Sequence, residues 1–275
     1  MKLWEAIILG LVQGIAEFLP ISSSGHLSIL QNLFNIQSAD DNHMFFNVLL
    51  HFATLISVCI FYWQDVREII QAAVNIVVPN NSSKINKKSA AGRLIIMIIV
   101  ATIPLVLVLP IKGQLEKLNS STSFIGIALI LTGFMLFVSD KMAQGSKNEK
   151  NMKILDAAIV GICQAIAVIP GLSRSGTTIT AGIASGLDRV FAVKFSFLIS
   201  IPAVLGATLL EVVDAFKAGI DFRLLPIYLV GMIVAGLVGY VSISLVKYIS
   251  KSGKFGRFSY YCWGAGVLTI ILSLI

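Results

Sequence analysis

Two apolar segments of this chain break in the middle, and they break in the same way. The first runs from near Leu3 into Gln13-Gly-Ile-Ala-Glu17-Phe-Leu-Pro20-Ile-Ser22-Ser23-Ser24-Gly25-His26. The second runs from Ile154 into Pro170-Gly-Leu-Ser173-Arg174-Ser175-Gly176-Thr177-Thr178. A run that begins like a membrane helix should continue apolar. Here it meets a proline, which removes a backbone donor and ends the helix. It then meets hydroxyls and charges, each costly in lipid and each in need of a reason.

The two breaks are copies. Ala6/Ala157, Gly10/Gly161, Gln13/Gln164, Ala16/Ala167, Ser22/Ser173, Ser24/Ser175 and Gly25/Gly176 all stand at a constant offset of 151. The helices after the breaks, near 25–36 and 179–187, are too short to span at about 1.5 Å per residue. Each copy therefore reads as a re-entrant hairpin, with irregular backbone shielded by protein or lining a wet cavity. Spans are expected at 44–63, 94–111 (kinked at Pro104), 124–139, 195–213, 224–246 and 258–275, with a polar loop at 65–93. Three spans separate the hairpins, so the second enters from the opposite face. The expected fold is all-α and polytopic: inverted-topology repeats, each a re-entrant helical hairpin plus three transmembrane helices. It forms a single membrane domain over 1–275, with repeats at about 1–139 and 154–275 and a charged loop at 140–153. Paired, interrupted apolar segments in two halves point to a binding site between them near the midplane.

Composition agrees. Of 275 residues, 56% are hydrophobic and 13% charged, about half the charged share of a soluble domain. The net charge of +7 does not indicate nucleic acid, because the basic residues lie in loops between spans. Only Lys2, Lys112, Lys117, Lys217 and Arg223 fall on one side. Arg174 sits in a break, and the remaining Lys and Arg residues gather on the other side. The positive-inside rule then puts both termini outside. Lys2 and the following apolar run imitate a signal peptide, but Glu5 disrupts the pattern and the segment is expected to stay. Cys59, Cys163 and Cys262 have neither disulfide nor metal-ligand spacing.

The polar groups at the breaks define a chemistry. Two helix N-termini near one another make an anion site, and Arg174 adds a planar fork suited to phosphate or carboxylate. An apolar wall around them suits a lipid tail. Ser23 or a neighbouring serine can attack phosphorus. His26, one helical turn on, can carry the proton, and Glu17 can activate a hydroxyl, orient His26 or hold a divalent cation. Bland roles stand beside these: Glu17 or the serines as helix caps, and Arg174 as the ion-pair partner of Glu17. For His51, inside an expected span, cavity lining and a bond to a backbone carbonyl are both open. His43 is expected in a polar loop.

Two look-alikes fail. Gly171-Leu-Ser-Arg-Ser-Gly176-Thr-Thr has the glycine spacing of a P-loop, but Thr177 stands where the lysine belongs. Ser24-Gly25-His26 matches one block of phosphatidic-acid-phosphatase-type enzymes, yet no histidine follows His51 to complete that mechanism.

Gln13-x-x-x-Glu17, the run to Ser22-Ser23-Ser24-Gly25-His26, and Pro170-Gly-x-Ser-Arg174-Ser-x-x-Thr178 together resemble the signature blocks of the undecaprenyl-diphosphate phosphatases, the bacitracin-resistance family. The resemblance covers nearly the whole chain. It implies a multi-pass enzyme of the bacterial plasma membrane that hydrolyses undecaprenyl diphosphate to undecaprenyl phosphate and phosphate. That reaction recycles the lipid carrier of cell-wall synthesis, with a site open to the outer face. It casts Ser23 as nucleophile, His26 as catalytic histidine and Glu17 as the second acidic position. Arg174, with Ser173, Ser175, Thr178, Ser22 and Gly25, becomes the phosphate-binding set. A Mg or Ca ion is implied, held by Glu17 and Gln13 or brought by the diphosphate, since Gln13 stands where many members carry Glu. No organic cofactor and no nucleic acid are expected. The partners are a polyprenyl diphosphate and membrane lipids, with a homo-oligomer open. The rival reading is a transporter or flippase of an anionic lipid or phosphate-bearing substrate, because broken helices in inverted repeats also serve transport.

Overall fold

The computed structural model describes residues 1–34, 41–77, 90–218 and 222–274. Among these residues all long elements are helical. They are α1 (Leu3–Ala16), α2 (Ser23–Leu33), α3 (Asp41–Phe61), α4 (Trp63–Val77), α5 (Ala90–Val108), α6 (Lys112–Glu116), α7 (Thr122–Lys141), α8 (Ile154–Ile166), α9 (Arg174–Ala184), α10 (Arg189–Ala218), α11 (Leu225–Ser252) and α12 (Arg257–Leu272).

Among the described residues, four apolar helices are each long enough to cross a membrane: Ala90–Ile111, Thr122–Lys141, Arg189–Leu210 and Leu225–Ser252. A bilayer core needs about 20 residues of helix, so the chain is a multi-pass membrane protein. α1 and α8, at 14 and 13 residues, reach only about 20 Å and stop at the two breaks. Both begin alike. The Lys2 N–H donates to Glu5 Oε2 at 2.6 Å, and the Lys153 N–H donates to Asp156 Oδ2 at 2.8 Å. An acid three residues after the cap satisfies a free donor and meets the positive end of the helix dipole.

Several boundaries differ from expectation. The segment after 64 is not a loop. It is α4, turned through 91° from α3, and it carries Asp65, Arg67 and Glu68 beside the buried Val66 and half-buried Ile69. Polar residues on one face lower its average hydropathy without stopping the helix. His43 falls in the first turn of α3, and α10 runs on through Lys217 to Ala218. The expected span 258–275 is the 16-residue α12. Pro104 lies inside α5, as anticipated. The end of the first short helix beyond 34, and Lys84, Lys87 and Lys88, fall outside the described residues. The three cysteines are free.

Small residues let the helices approach. α1 lies against α11 with Gly10 facing Gly231 and Gly14 facing Ala235, and a methyl group at Gly14 would sit 2.7 Å from the Ala235 carbonyl oxygen. α8 meets α5 through Gly161 at Ala101, and α7 meets α12 through Gly126 and Gly266. Lipid tails are as apolar as leucine, so helices associate through this close van der Waals packing. The short helix of each half thus lies on a long helix of the other half: α1 on α11 and α8 on α5. That arrangement carries both breaks into the interior, where Phe18 packs edge-on against Phe197 at 5.4 Å.

Candidate active site

Glu17 lies one turn beyond Gln13. Its N–H donates to the Gln13 carbonyl at 3.0 Å, and Gln13 Nε2 donates to Glu17 Oε2 at 3.1 Å. The chain then turns at Pro20 and passes through Ser22 at φ +74°. That left-handed conformation is uncommon outside glycine. Ser22 Oγ accepts the Gly25 N–H at 3.2 Å and caps α2. Ser23 is therefore the first residue of α2, and its hydroxyl donates to Glu17 Oε2 at 2.7 Å.

The second break reaches the same end by a different turn. Gly171 supplies the positive φ, +84°, where glycine adopts it without strain. Ser173 Oγ accepts the Gly176 N–H at 3.1 Å and caps α9. Arg174 is the first residue of α9, the repeat equivalent of Ser23, and its Nη2 pairs with Glu17 Oε1. The side chains that open the two short helices thus meet on one buried carboxylate.

The breaks also hold each other. The Gly171 N–H donates to Ser24 Oγ at 3.4 Å, and Ser175 Oγ donates to the Leu19 carbonyl at 3.3 Å. A methyl group on Gly25 would come within 3.5 Å of Gly171, and one on Gly176 within 3.3 Å of Pro20. Ser24 and Ser175 are repeat equivalents, as are Gly25 and Gly176, and Pro20 and Gly171. The close approaches of Gly25 to Gly171 and of Gly176 to Pro20 therefore recur with the halves exchanged, while the serines reverse roles, Ser24 accepting and Ser175 donating.

A cavity of about 370 Å³ opens here. Its polar end holds Glu17, Ser23, Ser24, His51, Gln164 and Arg174. Leu105, Val106 and Leu109 of α5, Val168 and Leu172 of the second break, and Val204 and Leu210 of α10 line the rest. One end suits a charged head and the wall suits an apolar tail. Glu17 is 7% exposed. An unpaired carboxylate there would be very costly, and Arg174 with the Ser23 and Gln13 donors offsets that cost.

The structure thus gathers Glu17, Ser23 and Arg174. It does not bring His26 to the cavity. His26 Nδ1–H donates to the Ser22 carbonyl at 2.7 Å, and Nε2 meets the Tyr261 hydroxyl at 2.7 Å, with the two rings stacked. Ser22 and Ser173 cap, and Ser175 and Gly25 join the breaks. Thr178 bonds to the Arg174 carbonyl at 2.8 Å and to Ser196 Oγ at 2.6 Å. These residues shape the site without lining the cavity. His51 and Gln164, unassigned from sequence, do line it. The signals for them were a histidine within an apolar span and the repeat partner of Gln13.

A protein-held divalent cation does not fit this donor set. Hard cations take six or more oxygens. Both oxygens of the one carboxylate already face Arg174, Ser23 and Gln13. Among the described residues here, the buried oxygens without a partner are the neutral amide oxygens Gln13 Oε1 and Gln164 Oε1. Among the described residues no cluster of three His, Cys, Asp or Glu side chains forms.

The sequence profile described as "Bacitracin resistance protein BacA" matches residues 6–268. This chain belongs to the BacA family. Its relatives include a protein named undecaprenyl-diphosphatase from Halothermothrix orenii, 39% identical and covering 99% of both chains. One of the same name from Alkaliphilus metalliredigens is 40% identical over the full length of both. A third, from Methanosphaera stadtmanae, is 38% identical over 100% of this chain and 99% of its own. In this BacA-family chain both signature blocks converge on Glu17.

Proposed function

We propose that this chain is an undecaprenyl-diphosphatase: a membrane enzyme that releases phosphate from undecaprenyl diphosphate and returns undecaprenyl phosphate to cell-wall synthesis. The observation that carries this reading is the convergence of Ser23 and Arg174 on Glu17, at the polar end of an apolar cavity. A transporter needs charge matching alone, whereas a serine hydroxyl aimed at a carboxylate is a nucleophile beside a base.

In the proposed reaction Arg174 and the positive ends of α2 and α9 hold the terminal phosphate. Ser23 Oγ attacks phosphorus as its proton passes to Glu17 Oε2. The bond from phosphorus to the bridging oxygen breaks, and the electron pair leaves with the lipid monophosphate. Glu17 passes that proton to the departing lipid monophosphate, then takes one from the water that attacks the phosphoserine and returns it to Ser23 Oγ as phosphate leaves. His26 acts as a positioning residue, holding the Ser22 carbonyl and so the start of α2. A divalent cation arrives with the diphosphate as part of the substrate.

The halves are read as inverted repeats with re-entrant hairpins, each half comprising one of the two segments expected from sequence. This reading is supported by α1 and α8 being too short to span, by the constant offset, and by the exchanged contacts between the breaks. The distribution of basic loops supports both termini lying outside. The cavity is lined by residues 102–109 and 202–210, which lie toward the ends of α5 and α10 that lead to the sparsely basic side. That favours a mouth on the outer face.

The test is phosphate release from undecaprenyl or farnesyl diphosphate by purified protein in detergent with Mg or Ca. Ser23→Ala should lower turnover by on the order of 10³-fold or more while lipid binding persists. If wild-type protein binds the lipid but releases no phosphate under any cation condition, the phosphatase reading fails. Substantial turnover by Ser23→Ala would shift the attack to water.

A further inference from the structure

His51 projects from the middle of α3 into the polar end of the cavity. Its Nδ1 bonds to the Asn47 carbonyl at 2.9 Å, which can only accept, so Nδ1 carries a hydrogen. Its Nε2 faces Glu17 Oε2 at 3.8 Å. A carboxylate or phosphate oxygen also only accepts, so a hydrogen bond from Nε2 to either would use an Nε2–H. At 3.8 Å that contact is longer than a hydrogen bond. The His51 side chain is 32% exposed.

The other side-chain donors at this end already have partners. Ser23 and Gln13 donate to Glu17, Arg174 pairs with it, and Gln164 Nε2 donates to the Ala101 carbonyl at 3.4 Å. Among the described residues, Glu17 and Arg174 are the charged side chains that face His51 here. The stretches of α5 and α10 that line the cavity add Thr102 and apolar side chains. His51 is thus a donor held in place at one nitrogen and open to a ligand at the other.

We infer that His51 is a second phosphate contact, with its Nε2–H closing on a terminal phosphate oxygen of the substrate held by Arg174. This rests on the phosphatase reading and adds to it. Arg174 comes from the second half and His51 from the first, so the phosphate is held between the halves. Glu17, paired with Arg174 and 3.8 Å from His51 Nε2, is freed by the incoming phosphate to take the Ser23 proton.

The experiment is steady-state kinetics on farnesyl diphosphate with purified full-length wild type, His51→Gln, His51→Asn and His51→Leu. A hydrogen bond to a charged group is worth about 10- to 100-fold in affinity. His51→Leu should raise KM by about that factor with kcat changed less than about threefold. His51→Gln, whose amide reaches nearly as far, should recover most of the KM. His51→Asn keeps polarity beside Glu17 but falls short, so it reads the same loss should the leucine variant fail to fold. A KM within about threefold of wild type in both short variants would overturn the inference. So would equal kcat losses in all three with KM unchanged. If wild type itself releases no phosphate, the phosphatase reading falls. His51 is then judged by equilibrium binding of the same lipid to wild type and His51→Asn, where unchanged affinity overturns it.

Discussion

Glu17 and Arg174 depend on each other. A buried carboxylate next to an apolar wall persists because a guanidinium and two neutral donors satisfy it, and breaking such a pair costs about 3–5 kcal/mol. Arg174→Ala should therefore lower the detergent melting temperature and cut phosphate release by at least about 100-fold. In the double variant with Glu17→Gln, melting should recover but turnover should not. Recovery of turnover would mean that Arg174 serves only to neutralise Glu17. These residues were legible in the sequence because a charge inside an apolar run has few cheap explanations. The choice between the histidines was not. Ser23 and His26 share a helical face, so local spacing favoured His26. Its free nitrogen is instead met by Tyr261, 235 residues away, and no local pattern announces that contact. His51 is 34 positions from Glu17 in sequence and reaches it only through the packing of α3.

At the scale of elements, the helix contacts were partly legible and α4 was not. Runs of apolar residues reveal spans, whereas α4 mixes charge with a narrow apolar face and falls below any average. The repeat offset anticipated which segments correspond. It did not reveal that each short helix packs on the opposite half, because that depends on which small residues can face one another. Gly14 tests this packing. A methyl group there meets the Ala235 carbonyl oxygen at 2.7 Å and Val238 Cβ at 2.9 Å, whereas one on Gly264 meets nothing within 4 Å. Gly14→Ala should cost about 1–3 kcal/mol through overpacking, seen as a lower melting temperature in detergent. Gly264→Ala should be neutral or slightly stabilising, since alanine favours helix. Equal melting temperatures for the two would show that close approach of α1 and α11 contributes little.

At the scale of the whole molecule, the two halves divide the labour. The first supplies Glu17, Ser23 and His51, and the second supplies Arg174, yet equivalent contacts bind the breaks on both sides. On the proposed repeat reading, duplication accounts for the architecture and divergence at a few positions for the chemistry. Glu17 stands opposite Val168, and Ser23 opposite Arg174. The proposed orientation follows from charge rather than from packing. Bringing the basic loops across the membrane would oppose the bias that sets topology. It can be checked in a background where Cys59, Cys163 and Cys262 are replaced. Gly113→Cys, at a position with no heavy atom near its added carbon, should react with a membrane-impermeant maleimide on intact cells. Lys251→Cys, exposed near the end of α11, should react only after permeabilisation. The reverse pattern would invert the protein and turn the cavity mouth toward the cytoplasm. A diphosphate released outside would then have to cross the bilayer before it could reach Arg174.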